Sequence, residues 1–140
     1  MPHTIIEKLA VVAPEFFVRD VDVSLAFYVD VLGFTLVRAE PEDGSPHNFA
    51  VVARGEVEFL FAHEAFLGLE TRAALSYPRA SGVDIRVVVD DVDAVYARAR
   101  ERGAKILHHV KDQVYGLRDF TVADPDGFRI RFAQRVLEPS

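Results

Sequence analysis

The chain states one structural plan twice, and that repetition limits its possible folds more than any other feature. Val18-Arg19-Asp20-Val21-Asp22 lies against Val89-Asp90-Asp91-Val92-Asp93. In each copy a strand-like apolar run leads into an aspartate. Asp20 or Asp22, and then Asp91, suit a helix N-cap, because a carboxylate accepts from the unpaired N–H groups of the first turn. Val21, Leu25, Tyr28 and Leu32 recur at helical spacing, as do Val92, Val95, Tyr96 and Ala99. Gly33 and Gly103 close the two helices, which match in length to within one residue.

Three strands complete each copy. The first copy opens with a strand over residues 12–18, pushed towards a sheet edge by Pro14. After its helix come Phe34 to Arg38, an exposed loop from Glu40 to Pro46, and a hairpin of Phe49–Ala53 and Glu56–Phe61. The second copy runs through Val83–Val89, its helix, Ala104–Val110 and a closing hairpin over residues 118–134. In that hairpin Phe120 and Val122, then Ile130 and Phe132, alternate as half-buried strands require. Asp124-Pro125-Asp126-Gly127 supplies its turn: Pro125 fixes φ, Asp126 tolerates an unusual backbone angle, and Gly127 accepts a positive φ. Each copy is thus a βαβββ module, and pairing two modules buries the apolar face that each leaves open. The predicted organisation is α+β and a single domain, residues 1–140. Module one spans about 12–61, a connector about 62–82 and module two about 83–135. Leu9–Val11 reads as lead-in strand, Ala65–Leu75 as irregular helix, and Tyr77-Pro78 with Ser81-Gly82 as loop.

Composition narrows the function. Half the residues are hydrophobic, so the chain folds rather than remaining disordered. There is no cysteine, hence no disulfide, thiolate metal site or thiol nucleophile. The net charge of −6 and the lack of any Lys/Arg block argue against nucleic acid as a partner; a cationic small molecule suits that charge better. No apolar run approaches the roughly 20 residues of a membrane span. Met1-Pro2-His3-Thr4 lacks the basic-then-apolar pattern of a signal peptide, so a cytoplasmic location is expected.

Three passages resemble the vicinal oxygen chelate superfamily, which includes glyoxalase I, extradiol dioxygenases, fosfomycin-resistance enzymes and bleomycin-resistance proteins. They are Val18-Arg19-Asp20-Val21 running into Ala26-Phe27-Tyr28-Val29-Asp30-Val31-Leu32-Gly33-Phe34; Val87-Val88-Val89-Asp90-Asp91-Val92-Asp93-Ala94; and Tyr115-Gly116-Leu117-Arg118-Asp119-Phe120 leading into Asp124-Pro125-Asp126-Gly127. The resemblance covers residues 12–135 and implies two paired βαβββ modules whose curved mixed sheets surround a central trough. These motifs are scaffold, and chemistry depends on what faces the trough.

Metal-using members of that superfamily place His or Glu on the first and last strands of each module. Carried over by the motif anchors, those positions are Ala13, Glu58, Asp84 and Arg131, with Glu58 aligned to within a residue or two. Alanine offers no donor atom, and arginine offers a permanent positive charge with no lone pair. A catalytic divalent site needs about three protein ligands and an open position. No metal and no cofactor are therefore expected. The histidines do not change this. His108 and His109 are adjacent on a strand and point to opposite faces, while His3, His47 and His63 are scattered.

Strand alternation then assigns the trough. Ala13, Glu15 and Phe17 share a face, as do Glu56, Glu58 and Leu60; Asp84, Arg86 and Val88; and Arg129, Arg131 and Ala133. The candidate ligand-binding residues are Glu15, Phe49, Glu58, Phe61, Asp84, Arg86, Tyr115, Arg118 and Arg131. Acids would receive a cation, arginines a carboxylate, and rings a flat ligand. Phe59 and Phe61 have the opposite parity to Glu58, so all three cannot line the trough of a regular strand. The bland alternative is an internal ion-pair network that plugs the cavity. The resemblance is nearest the metal-free, bleomycin-resistance-like branch, which implies small-ligand binding, antibiotic sequestration and a homodimer. Three alternatives stand beside it: a metal-dependent lyase, isomerase or dioxygenase of the same superfamily; a metal-free enzyme with Glu15, Glu58 or Asp84 as general base; and a regulatory module with a filled trough.

Overall fold

Both modules form as the repeat predicts, each as a helix-backed four-stranded sheet. The computed structural model describes residues 12–67 and 83–136. The expected strand at Leu9–Val11, and the connector beyond Leu67 with its helix to Leu75 and its Tyr77-Pro78 loop, lie outside those residues.

Module one contains β1 (Glu15–Val18), α1 (Val21–Leu25), a π-helical continuation over Ala26–Val31, β2 (Thr35–Glu40), β3 (Phe49–Arg54) and β4 (Val57–His63). A single 3₁₀ turn follows at Glu64–Leu67. Module two contains β5 (Asp84–Val88), α2 (Val92–Glu101), β6 (Lys105–Asp112), β7 (Leu117–Ala123) and β8 (Arg129–Arg135). Sheet one has the order β1-β4-β3-β2 and sheet two the order β5-β8-β7-β6. In each, the first strand runs parallel to the last and the remaining pairs are antiparallel. Among the described residues no helix is long and apolar enough to cross a membrane.

The capping aspartates act as their positions require. Asp20 accepts from the Val23 amide at 3.1 Å, and Asp91 from the Ala94 amide at 3.1 Å. Asp22 caps nothing. It holds the loop after β2, accepting from the His47 amide at 3.0 Å and lying 2.6 Å from the His47 ring nitrogen Nδ1. The π-helical stretch was not foreseen: the Leu32 amide reaches back to the Phe27 carbonyl rather than to Tyr28. Of the expected face Val21, Tyr28 and Leu32 are buried and Leu25 half-buried, and Ser24 is buried as well. Gly33 takes φ +80° and Gly127 +89°, as their turn positions require, while Asp126 needs no positive φ.

One hydrophobic core serves both modules. Phe16, Tyr28, Phe59 and Phe61 from sheet one and its helix join Val92, Phe120, Ile130 and Phe132 from the second module. The modules meet along a seam at the closing turn. The Tyr28 hydroxyl donates to Asp124 Oδ2 at 2.8 Å in a buried setting. Arg19 Nε donates to Asp126 Oδ1 at 3.0 Å, and its Nη2 to the Pro125 carbonyl at 3.0 Å. The Phe16 and Phe128 rings stand 4.9 Å apart, and Arg98 Nη2 donates to the Asp30 carbonyl.

Candidate functional site

The helices and the shared core occupy one side of each sheet, and strand parity decides what the other side displays; at the middle of that second side Asp119, Thr121, Ala133, Val51 and Ala62 are themselves buried, and it opens towards its margins. In sheet two, Ile130 and Phe132 of β8, Phe120 and Val122 of β7 and Val87 of β5 are buried in the core. The alternate residues form rungs across the open face. One rung reads Arg86, Arg131, Thr121, His108 in β5-β8-β7-β6 order. The next reads Val88, Ala133, Asp119, Lys111. On the other side of the first lie Asp84 and Arg129. A cavity of about 480 Å³ opens here, lined among others by Asp84, Lys111, Tyr115, Asp119, Thr121 and Arg131.

The cavity is built around Asp119. Its carboxylate is buried, yet well supplied with donors: Gln113 Nε2 donates to Oδ1 at 2.8 Å and the Tyr115 hydroxyl to Oδ2 at 2.7 Å. That hydrogen bond, with the negative charge behind it, raises the phenol pKa of Tyr115 and keeps its proton in place. Arg131 stands beside them. Its Nη1 lies 3.4 Å from the Tyr115 hydroxyl and 3.8 Å from Asp119 Oδ2, while its buried Nε has no partner. Arg129 and Asp84 form a separate ion pair, with Nε to Oδ1 at 2.6 Å.

Sheet one shows a different open face. Its rungs read Glu15, Leu60, Val51, Arg38, then Phe17, Ala62, Phe49, Glu40. Glu58 and Ala53 sit together on the neighbouring rung. The floor is apolar, the carboxylates stand at its margin, and the Arg38 guanidinium lies 5.5 Å from the centre of the Phe49 ring.

The structure therefore separates residues that parity alone had placed around one trough. Glu15, Phe49 and Glu58 occupy the open face of sheet one, and Asp84, Arg86, Tyr115 and Arg131 that of sheet two. One core joins the modules, and the cavity on sheet two is lined by none of the sheet-one candidates. Two candidates leave the site altogether. Phe61 is fully buried, packed 4.7 Å from Tyr28 and 5.6 Å from Phe16, because it shares the core parity of Phe59. Arg118 shares the parity of Phe120 and turns to the helix side, where it grips Asp93 of α2 at 2.9 Å and Asp112 at 3.2 Å. That contact pulls the Asp93 carboxyl below the usual range. His47, His63 and His109 are engaged locally, with Asp22, the Ala65 amide and the Tyr96 hydroxyl, whereas His108 faces the open side. Asp119 and Gln113 were missed as site residues. The available signal for Asp119 was a lone carboxylate in β7, with the parity of Thr121, the register partner of Arg131.

This double βαβββ geometry has a known counterpart. The sequence profile of the glyoxalase/bleomycin resistance protein/dioxygenase superfamily matches residues 8–132. The chain belongs to that superfamily. A bleomycin resistance protein of Geobacillus stearothermophilus is 35% identical over 134 residues, covering 88% of this chain and 95% of that one. A probable lactoylglutathione lyase of Synechocystis is 28% identical, covering 84% and 88%. Among solved structures, the bleomycin resistance determinant encoded on transposon Tn5 superposes with a TM-score of 0.67 at 26% identity, covering 91% and 98%.

The superfamily includes metal enzymes, and the register fixes which residues stand at the positions expected to hold their ligands. Glu15 and Arg86 stand equally far before the capping aspartates Asp20 and Asp91, and their rung partners are Leu60 and Arg131. The counterpart of Arg131 in module one is therefore Leu60, two residues beyond Glu58. The four positions become Ala13, Leu60, Asp84 and Arg131, and Asp84 is already paired with Arg129. Among the described residues no three His, Asp or Glu side chains gather as a metal site would need.

Proposed function

We propose that this protein binds a small organic ligand on the open faces of its sheets, without metal, and acts by sequestration instead of turnover. The observation that carries the reading is the pair Leu60 and Arg131 at the positions where metal-using relatives hold a donor. An antibiotic of the bleomycin type is the first candidate. Relatives bearing that name cover nearly the whole chain. Phe17 and Phe49 on one side of the Glu15 rung and Glu58 on the other offer ring surface and negative charge to a flat cation. A homodimer belongs to the same reading, because a second copy would enclose faces that one chain leaves open.

Two measurements on untagged protein test this. Elemental analysis should find zinc, iron, manganese and nickel far below one per chain. Calorimetric titration with metal-free bleomycin should show saturable binding, weakened about tenfold or more in Glu58→Gln, the loss of one charge-assisted contact. Tightly held metal near one per chain would instead favour a metal-dependent lyase, the reading supported by the Synechocystis relative. Absence of binding would remove the antibiotic.

A further inference from the structure

The two open faces carry opposite charge, and on sheet two the charge is unbalanced. Arg86, Arg129, Arg131 and Lys111 share that face with the carboxylates of Asp84 and Asp119. Both carboxylates are already committed. Asp84 is taken by Arg129, and the oxygens of Asp119 by Gln113 and Tyr115. Arg131 reaches Asp119 only at 3.8 Å and leaves its buried Nε without an acceptor. Arg86 and Lys111 enter no ion pair among the described residues. Arg86 and Arg131 are moreover direct register partners on adjacent parallel strands, facing the same way. Neighbouring strands lie about 4.8 Å apart, so two like charges start from adjacent positions on one face, a pairing that costs stability unless an anion lies between them. A chain with net charge −6 has no general need of such a cluster.

We infer that the open face of sheet two is an oxyanion site, in which Arg86 and Arg131 together grip a carboxylate or phosphate group of the ligand. Guanidinium forks match either group geometrically and are more weakly hydrated than an ammonium; Arg131 is half-buried and Arg86 exposed, so the anion would be held at the margin of the cavity. Thr121 and His108 continue the same rung, and Lys111 stands across from Asp119 on the next. The inference rests on the reading of the open faces as a ligand site and adds a chemical class to it. The ligand carries an anionic group for sheet two, whatever sheet one holds.

The test is an NMR titration of ¹⁵N-labelled protein with inorganic phosphate and, separately, with benzoate, so that the two oxyanion types are told apart. The addition runs to roughly 20 mM, enough to saturate a millimolar site. Saturable shifts confined to β5, β8 and the adjoining part of β7 are expected with at least one probe. Arg86→Gln and Arg131→Gln should each raise Kd by about tenfold or more, and Arg102→Gln, at the exposed end of α2, should leave it within about twofold. Because Arg131 also supports the Asp119 cluster, Arg86→Gln decides the matter if the other variant misfolds. Shifts that never saturate, that map elsewhere, or that survive Arg86→Gln would overturn the inference. The same sample titrated with bleomycin separates the two ideas. If bleomycin binds and neither oxyanion does, only the oxyanion site falls; if nothing binds, the oxyanion site and the antibiotic both fall.

Discussion

At the scale of single residues, the most consequential contact is one the sequence concealed. Tyr28 read as a helix-face core residue and Asp124 as a turn former. The structure joins them across the seam, hydroxyl to carboxylate, with Tyr28 fully buried. Asp124 Oδ1 accepts from the Asp126 and Phe128 amides, so Oδ2 depends on Tyr28. Burial pushes the Asp124 carboxyl above its usual range while these hydrogen bonds pull it down. Tyr28→Phe strips a donor from a buried carboxylate and leaves the packing nearly intact. It should cost about 1–3 kcal/mol, seen as a lower urea midpoint with an unchanged slope. No local pattern announces a hydrogen bond between residues so far apart in sequence. Arg118 and Phe61 are the reverse case, since parity with Phe120 and Phe59 already placed them in or beside the core. Only the appeal of an arginine or a ring near a presumed trough argued otherwise.

At the scale of elements, sequence reading succeeded wherever a periodicity or a cap was present. Both helices start at the predicted aspartates, and every expected strand among the described residues exists, with bounds shifted by at most three residues. It missed the π-helical stretch because widening the hydrogen-bond ladder leaves the spacing of buried side chains readable as ordinary helix. It also offered Asp20 and Asp22 as equivalent caps. The difference lies in a tertiary partner, His47, whose hydrogen bond holds the Asp22 carboxyl below its ordinary pKa. A depressed carboxyl stabilises the fold above its unfolded pKa and loses that contribution as pH falls through the folded value. Asp22→Asn should therefore be less stable than the parent at neutral pH, and the gap should close below the ordinary aspartate range. Denaturation midpoints from neutral to acid pH give the comparison. Gly33→Ala at the end of the first helix should cost about 1–2 kcal/mol, because φ is +80° and the added methyl would sit 3.4 Å from Arg98 Nε.

At the scale of the whole molecule, the repeat predicted two modules but not which sides would meet. Packing settles that: the apolar faces under the helices merge into one core, with Phe16 of β1 against Phe128 beyond the second module's turn. The modules should then unfold together. Phe16→Ala, a large buried deletion of about 3–5 kcal/mol, should lower amide-exchange protection in β7 and β8 as well as in β3 and β4. Protection lost in sheet one alone would mean that the modules are independent units. The open faces have a different consequence. Stability resides on the helix side, so a substitution at Glu15, Glu58, Arg86 or Lys111 disturbs little packing and stays within the margin that a marginally stable protein tolerates. The same duplicated scaffold can thus change the chemistry of its surface without passing through a sequence that fails to fold. Glu15 and Leu60 in one copy, where the other has Arg86 and Arg131, are two answers written on one frame.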